Sequence, residues 1–423
     1  MTDLLDPDFA HLPLPTPKTE PAHPVKRLAR RAFLRLMGRP LMRQAHQTSS
    51  DDIHRRKILL IRPDHLGDLL FLTPALRYLR SLLPDARLSL MVGPWGQALM
   101  QNNPYIDQLL ICEFPGFTRR RKPSLWQPYR YLGEQARQLK SHQFDLAIVL
   151  RFDHWWGAWL AAAAGIPHRF GYAIPEAAPF LTEALPYDEN RHEVEQNWRL
   201  IHYAGSGGAL PNNDSLGGRE VMGYLEFTIP HDARSWAEAC LKQHQISDRK
   251  PLVVIHPGAG AAVKLWRPEA WASLAQTLRA QYGCQIILSG GPDEAELCRQ
   301  IAGQLSPAPP IVAGQTNLVQ LAALLSEATL AIGPDTGPLK LAAAVNTPTV
   351  ELYGPVDAKK FGPWGAPTRQ RYITGGLACI ACNYLDYSAK ELPAHYCVRG
   401  LSVDWVLHEV VDLLKQVEET NRK

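Results

Sequence analysis

Lys57-Ile-Leu-Leu-Ile-Arg-Pro-Asp-His-Leu-Gly-Asp68 is the stretch on which the reading of this chain turns. It opens on a short apolar run with no polar alternation, the composition of a strand buried on both faces. Gly67 then permits a tight turn, and the run Pro74 to Leu83 has the spacing of a helix with one apolar side. A buried strand, a short loop and a helix are the unit from which parallel sheets are built.

The unit recurs outward from residue 57. Leu88 to Val92, Gln108 to Cys112 and Leu146 to Leu150 read as further buried strands, and a second series follows at Leu252 to His256, Gln285 to Ser289, Leu330 to Gly333 and Thr349 to Leu352. Helical stretches such as Pro268 to Tyr282 lie between them. The chain therefore reads as α/β, with two doubly wound, Rossmann-like units. The Gly-rich segment Gly205 to Gly218 is a surface excursion near the end of the first. The expected divisions are a disordered tail at 1–24, a basic helix and linker at 25–56, a first domain at 57–228, a second at 229–402, and a closing amphipathic helix at 403–423. No short internal repeat is present.

With 423 residues, 46% hydrophobic and 20% charged, the chain can bury two cores and is not of the disordered class. No run approaches the ~18 apolar residues of a bilayer span; Trp155 to Ile166 comes nearest and is too short. The N-terminus lacks the order of a secretory signal, which predicts a cytoplasmic protein. Seven scattered cysteines fit reduced thiols rather than a disulfide framework. Net charge is +4, but Lys26, Arg27, Arg30, Arg31, Arg35, Arg39 and Arg43 form a run of seven cations without an acid, so the remainder is net −3. That distribution speaks against wrapping nucleic acid. Val25, Leu28, Ala29, Ala32, Phe33, Leu36 and Met37 fall on one arc of the same segment, Leu34 being the exception, and Gly38 and Pro40 read as its end. Such a helix fits the anionic inner face of the cytoplasmic membrane; the alternative is that its apolar arc packs onto the body.

Ligands of open parallel sheets sit beyond the carboxyl ends of the strands. Asp68 lies there, at a helix start, and is either a general base for an attacking hydroxyl or a cap for its helix. His256-Pro-Gly-Ala-Gly260 ends another strand, with Lys264 four residues on, and Gly333-Pro-Asp-Thr-Gly-Pro338 ends a third and opens a helix. Small residues at a helix N-terminus suit a diphosphate, with Lys264 supplying charge that a metal supplies elsewhere. Neither loop has the spacing of a P-loop or of a G-x-G-x-x-G fingerprint, and each alone also reads as a plain turn.

Three blocks together carry a resemblance: Arg62 to Asp68 with Thr73-Pro-Ala-Leu76; His256 to Trp266; and Gly333 to Ala344 with Thr347-Pro-Thr-Val350 and Tyr353-Gly-Pro355. In that order, from about residue 57 to about 415, they resemble glycosyltransferase family nine, which contains the ADP-heptose:lipopolysaccharide heptosyltransferases. The resemblance implies a GT-B fold, two Rossmann-like domains facing a central cleft, with the last helix packing back toward the first domain. It implies Asp68 as general base, Lys264 on the donor phosphates, Glu294 on the donor ribose, and Asp335, Thr336 and Gly337 in the donor-binding loop. Lys340 stands where these enzymes commonly have a histidine and is expected to reach a phosphate. Ala259 and Gly260 stand where hydroxyl residues are common.

Arg151, Asp153, His154 and Arg169 cluster near the fourth strand end and are candidates for an anionic acceptor, or else a solvated rim of charges. Cys379, Cys382 and Cys397 with His395 make a four-ligand set that could hold zinc, although the spacing is not that of a standard module. No Asp-x-Asp pair sits in a strand-end loop. The implied chemistry is single displacement with inversion, without metal or cofactor. A nucleotide-sugar epimerase on the same fold and a non-catalytic envelope glycan-binding protein are the rival readings.

Overall fold

The computed structural model describes residues 4–13, 16, 24–42, 56–117, 124, 126–206, 208 and 221–421. The chain divides into two compact units, one of residues 21–223 and one of 224–423 together with 1–20. The boundary falls at 223/224, a few residues before the expected 228/229.

In the first unit six strands form a wholly parallel sheet: β1 (Lys57–Ile61), β2 (Arg87–Val92), β3 (Gln108–Ile111), β4 (Leu146–Val149), β5 (His168–Tyr172) and β6 (Glu183–Leu185). Their order is β3-β2-β1-β4-β5-β6. The chain steps outward from β1 to β3 and returns to the other side of β1 with β4. Ile58 is thereby aligned with both Leu88 and Leu146, and both faces of these strands are covered. The second unit repeats the plan with β7 (Leu252–Ile255), β8 (Gln285–Leu288), β9 (Leu330–Pro334), β10 (Thr349–Tyr353) and β11 (Gln370–Thr374), in the order β11-β10-β9-β7-β8. Here the reversal lies between β7 and β9. Intervening helices are punctuated by local chemistry. Gly283 closes Pro268–Tyr282 in the left-handed region at φ +65°. Asn317 and Gln320 exchange hydrogen bonds of 2.9 and 3.0 Å at the start of Leu318–Ser326, a reciprocal cap.

Two expectations about the ends are corrected. Part of the expected disordered tail is folded onto the second unit. Leu5 bridges Leu401, Asp6 N donates to Gly400 O (2.8 Å), Arg267 holds the Asp6 carboxylate at 2.6 Å, and Phe9 lies against Tyr396. The closing helix, Val403–Asn421, buries Val406, Val410, Leu413, Leu414 and Val417 in the second unit's own core. The basic helix runs Pro24–Met42, past Gly38. Gly38 is a point of close approach: a Cβ there would stand 2.3 Å from Pro179 O. Leu34, the residue off the apolar arc, is the one buried at 1% exposure, while Val25, Leu28 and Leu36 of the arc stay 62–79% exposed. Arg43, most of the linker 44–56 and most of Gly205 to Gly218 lie outside the described residues.

Candidate active site

The loops at the two reversals carry the candidate residues, as expected where neighbouring strands diverge. In the first unit the β1 loop meets the β4 loop. Arg62, 1% exposed, is the centre: its guanidinium meets Asp64 at 2.7 Å and Glu193 at 2.8 Å, and donates to Asn197 Oδ1 (2.8 Å) and Leu150 O (3.2 Å). Asp64 also accepts from Arg151, which in turn grips Asp153 at 2.6 Å. Burial would raise the Asp64 carboxyl, but Arg62 and Arg151 beside it prevail and hold it below the usual range.

Asp68 sits in the first turn of Leu66–Leu70, whose N-cap residue is His65, so it is not the cap. Its side chain is 32% exposed and its Oδ1 lies 4.0 Å from Arg62. Desolvation by the surrounding protein, with Asp64 and then Glu193 adding negative charge, pushes its carboxyl up to about 7 against the pull of Arg62. Asp64 and Asp68 are thus two acids four residues apart whose surroundings drive them in opposite directions, the arrangement that separates a fixed charge from a working base.

The acceptor candidates divide. Arg151 and Asp153 stay at the partly exposed edge of this loop. His154 is buried against Phe114 and Phe117, and burial drives it down to about 3, so it is a neutral core residue. Arg169, 2% exposed, donates to the carbonyls of Phe180 (2.7 Å) and Ile166 (2.5 Å), stapling a loop. Both lie too deep to meet an acceptor as placed.

In the second unit the β7 loop meets the β9 loop. Lys264 ends the turn Ala262–Lys264, and its Nζ donates to Asp335 Oδ2 at 2.7 Å and to Asp335 O at 3.3 Å. Desolvation would raise the Asp335 carboxyl, but Lys340 and Lys264 hold it below its ordinary value. Thr336 is the N-cap residue of Gly337–Ala344, yet its side chain makes no capping bond, which leaves its hydroxyl and the Gly337 N–H for another partner; Pro338 has no N–H and Leu339 N–H is taken by Thr336 O. Glu294 ends the turn Pro292–Glu294, accepts from Gly291 N at 2.6 Å and lies 3.5 Å from His256 Nε2. A Cβ on Gly258 would come within 1.9 Å of Glu294 Oε1, so only glycine lets this carboxylate reach the β7 loop.

Lys340 does not point outward as expected. It is 2% exposed and donates to Glu351 Oε2 and Tyr353 Oη. Cys379, Cys382, His395 and Cys397 do line one small pocket, with Tyr387 stacked 3.7 Å over His395. The thiols are unpaired, and burial pushes Cys397 up to about 12. No group of three or more ligands is placed to hold a metal among the described residues, so the zinc expectation finds no support. The sequence reading missed Arg62, Asp64, Glu193, Glu351 and Tyr353 as parts of the two clusters. Asp64 stood in the opening stretch, but a partner 131 positions from Arg62 leaves no local signal.

Residues 133–383 match the family described as "Glycosyltransferase family 9 (heptosyltransferase)". The chain is 26% identical over 306 residues to lipopolysaccharide heptosyltransferase 3 of Escherichia coli, covering 70% of this chain and 83% of that protein. It is 27% identical over 366 residues to lipooligosaccharide heptosyltransferase 2 of Haemophilus ducreyi, covering 85% and 99%. Among solved structures it is similar to the E. coli ADP-heptose lipopolysaccharide heptosyltransferase II, with a TM-score of 0.66 and 23% identity over 86% of this chain and 99% of that one. That likeness is one of fold, the GT-B arrangement of two parallel-sheet α/β domains.

Proposed function

This chain belongs to glycosyltransferase family 9, and from that premise we propose that it transfers heptose from ADP-heptose to a lipopolysaccharide-type acceptor by single displacement with inversion. Relatives named for lipopolysaccharide and lipooligosaccharide heptose transfer support the substrate class. The observation that carries the chemistry is Asp68: a partly open carboxylate, pushed to about 7, at the reversal of the first sheet. Asp68 takes the proton of an acceptor hydroxyl as its oxygen attacks the anomeric carbon. The bond from that carbon to the diphosphate breaks on the opposite face, and the nucleotide leaves with the bonding pair. Lys264 and the amides around Thr336 receive the growing negative charge, so the leaving group needs no metal. Glu294 takes the donor ribose.

The test is transfer from ADP-heptose to a heptose-deficient lipopolysaccharide. Asp68→Asn is expected to lose about 10²–10⁴-fold in turnover with ADP affinity nearly unchanged. Near-normal turnover would remove the base; a retained anomeric configuration, or activity abolished by EDTA and restored by magnesium, would remove the scheme.

The enzyme works at the inner face of the cytoplasmic membrane, docked through residues 25–43. The exposed Val25, Leu28 and Leu36, with exposed Arg27, Arg35 and Arg39 beside them, support this reading. Trp126, 75% exposed, adds an aromatic of the kind that seats at a lipid interface; Tyr129 links it to Phe33 of the helix. Each cation near an anionic surface contributes at most about 1 kcal/mol. Sedimentation should show the full chain, and not one starting at Arg55, on anionic vesicles at low salt. Equal binding by both would release the helix from this role.

A further inference from the structure

Lys340 stands on the helix that opens at the donor loop, but its ammonium is turned away from solvent into a buried cluster. Its Nζ donates to Glu351 Oε2 and, at 2.6 Å, to Tyr353 Oη, and lies 3.6 Å from Asp335 Oδ1. Glu351 is 0% exposed, on a strand buried along its whole length. Tyr353 Oη lies 2.9 Å from Asp335 Oδ1, 3.2 Å from Glu351 Oε2 and 2.7 Å from Phe361 O, one donor that can serve any of the three. The two oxygens of Asp335 are therefore divided. Oδ2 faces Lys264, and Oδ1 faces the Tyr353–Lys340 pair.

Such a cluster is costly. Removing two acids and a lysine from water is seldom repaid in stability, and well-packed apolar residues of like volume commonly do as well. Burial keeps Glu351 near neutrality, pushed up to about 7, even with Lys340 against it. The arrangement does fix the rotation of Asp335 and share its charge between two cations. Without Lys340 the whole Asp335 charge would fall on Lys264, which would then be held from a phosphate.

We propose that Lys340 is a positioning residue: with Glu351 and Tyr353 it draws part of the Asp335 charge inward, leaving Lys264 available to the donor diphosphate. This rests on the reading of Lys264 and Asp335 as the donor site. The lysine does not touch the nucleotide; it acts through Asp335.

The experiment measures ADP affinity, donor KM, kcat and melting temperature. Lys340→Met should weaken ADP binding and raise donor KM about tenfold, with a smaller fall in kcat because Lys264 also meets the leaving group, since a charge-assisted bond behind the binding cation is lost. Lys340→Met/Glu351→Met should recover melting temperature, since no acid is left unpaired against the missing ammonium, yet keep the weak ADP binding. Normal ADP affinity in the folded single variant would overturn the proposal. So would recovery of affinity together with stability in the double variant, which is what a merely structural cluster predicts. Should neither variant fold, Tyr353→Phe decides: it removes one link to Asp335 and should raise donor KM about two- to threefold, and an unchanged KM would overturn the proposal. Lys264→Ala separates the two readings. If it leaves ADP affinity intact, the donor site itself is misplaced; if it weakens ADP while the Lys340 variants do not, only the positioning role falls.

Discussion

Asp68 and Asp64 show how little at the residue scale depends on identity and how much on neighbours. Both are aspartates just beyond β1, yet Asp64 is held ionised between two guanidiniums while Asp68, a turn further on, is lifted to about 7. The rate consequence is a kcat/KM that climbs with pH through about 7 as Asp68 loses its proton. A profile flat from pH 5.5 to 8.5 would contradict it. The stability consequence has the opposite sense. A carboxyl whose folded pKa is raised favours the folded state when protonated, so its contribution is full below the unfolded value near 3.8 and is lost as pH rises to about 7. Asp68→Asn should therefore melt above the parent at pH 8, by a few degrees (about 2–4 °C per kcal/mol), and match it near pH 4. Position on a strand-end loop was legible in the sequence for Asp68, Lys264 and Asp335, because strands and glycine turns are local signals; Glu294 came only from the family resemblance. The direction in which a side chain turns was not. Lys340 follows a donor loop in sequence but faces Glu351, and His154 and Arg169 adjoin the expected acceptor loops but are buried.

Elements with continuous apolar runs were read closely: β1 begins and ends where expected, and β4 differs by one residue. The strands missed were β5, β6 and β11. β5 starts His168-Arg169, β11 is Gln370-Arg-Tyr-Ile-Thr374 at a sheet edge, and neither carries the run that marks a doubly covered strand. The basic helix was read with the right period, but Leu34, set aside as the exception to the apolar arc, is the residue it buries in the first unit. Leu34 and Gly38, with Phe33 against Tyr129 and Trp159 and the Arg31–Glu176 pair at 2.7 Å, fix it to the first unit. Leu34→Ala should cost about 2–4 kcal/mol in unfolding free energy, as a buried leucine truncated in a packed site. Leu36→Ala should stay within about 0.5 kcal/mol, because its side chain is mostly in solvent. Chemical denaturation of the pair would refute the assignment of faces if the two costs were equal.

At the scale of the whole molecule, two α/β units with their reversals at β1/β4 and β7/β9 place each cluster where an open sheet admits a ligand. Composition and repeated strand–helix alternation made that plan legible; what they could not convey was that the second unit is discontinuous in sequence. Leu5, Phe9 and Leu12 pack on a core otherwise built from residues 253–417. A chain starting at residue 14 should accordingly melt below the full chain, since it uncovers Leu401 and Tyr396 and leaves Arg267 without Asp6. Unchanged calorimetric melting would show that segment to be an ornament. Its pairing with Leu401 also sets an order of events at the ribosome. At about 5–20 residues per second, roughly 20–80 s separate the synthesis of Leu5 from that of Leu401. Leu5 and Phe9 are made long before Tyr396 and Leu401, and their contacts with those residues can form only once the later ones have been translated.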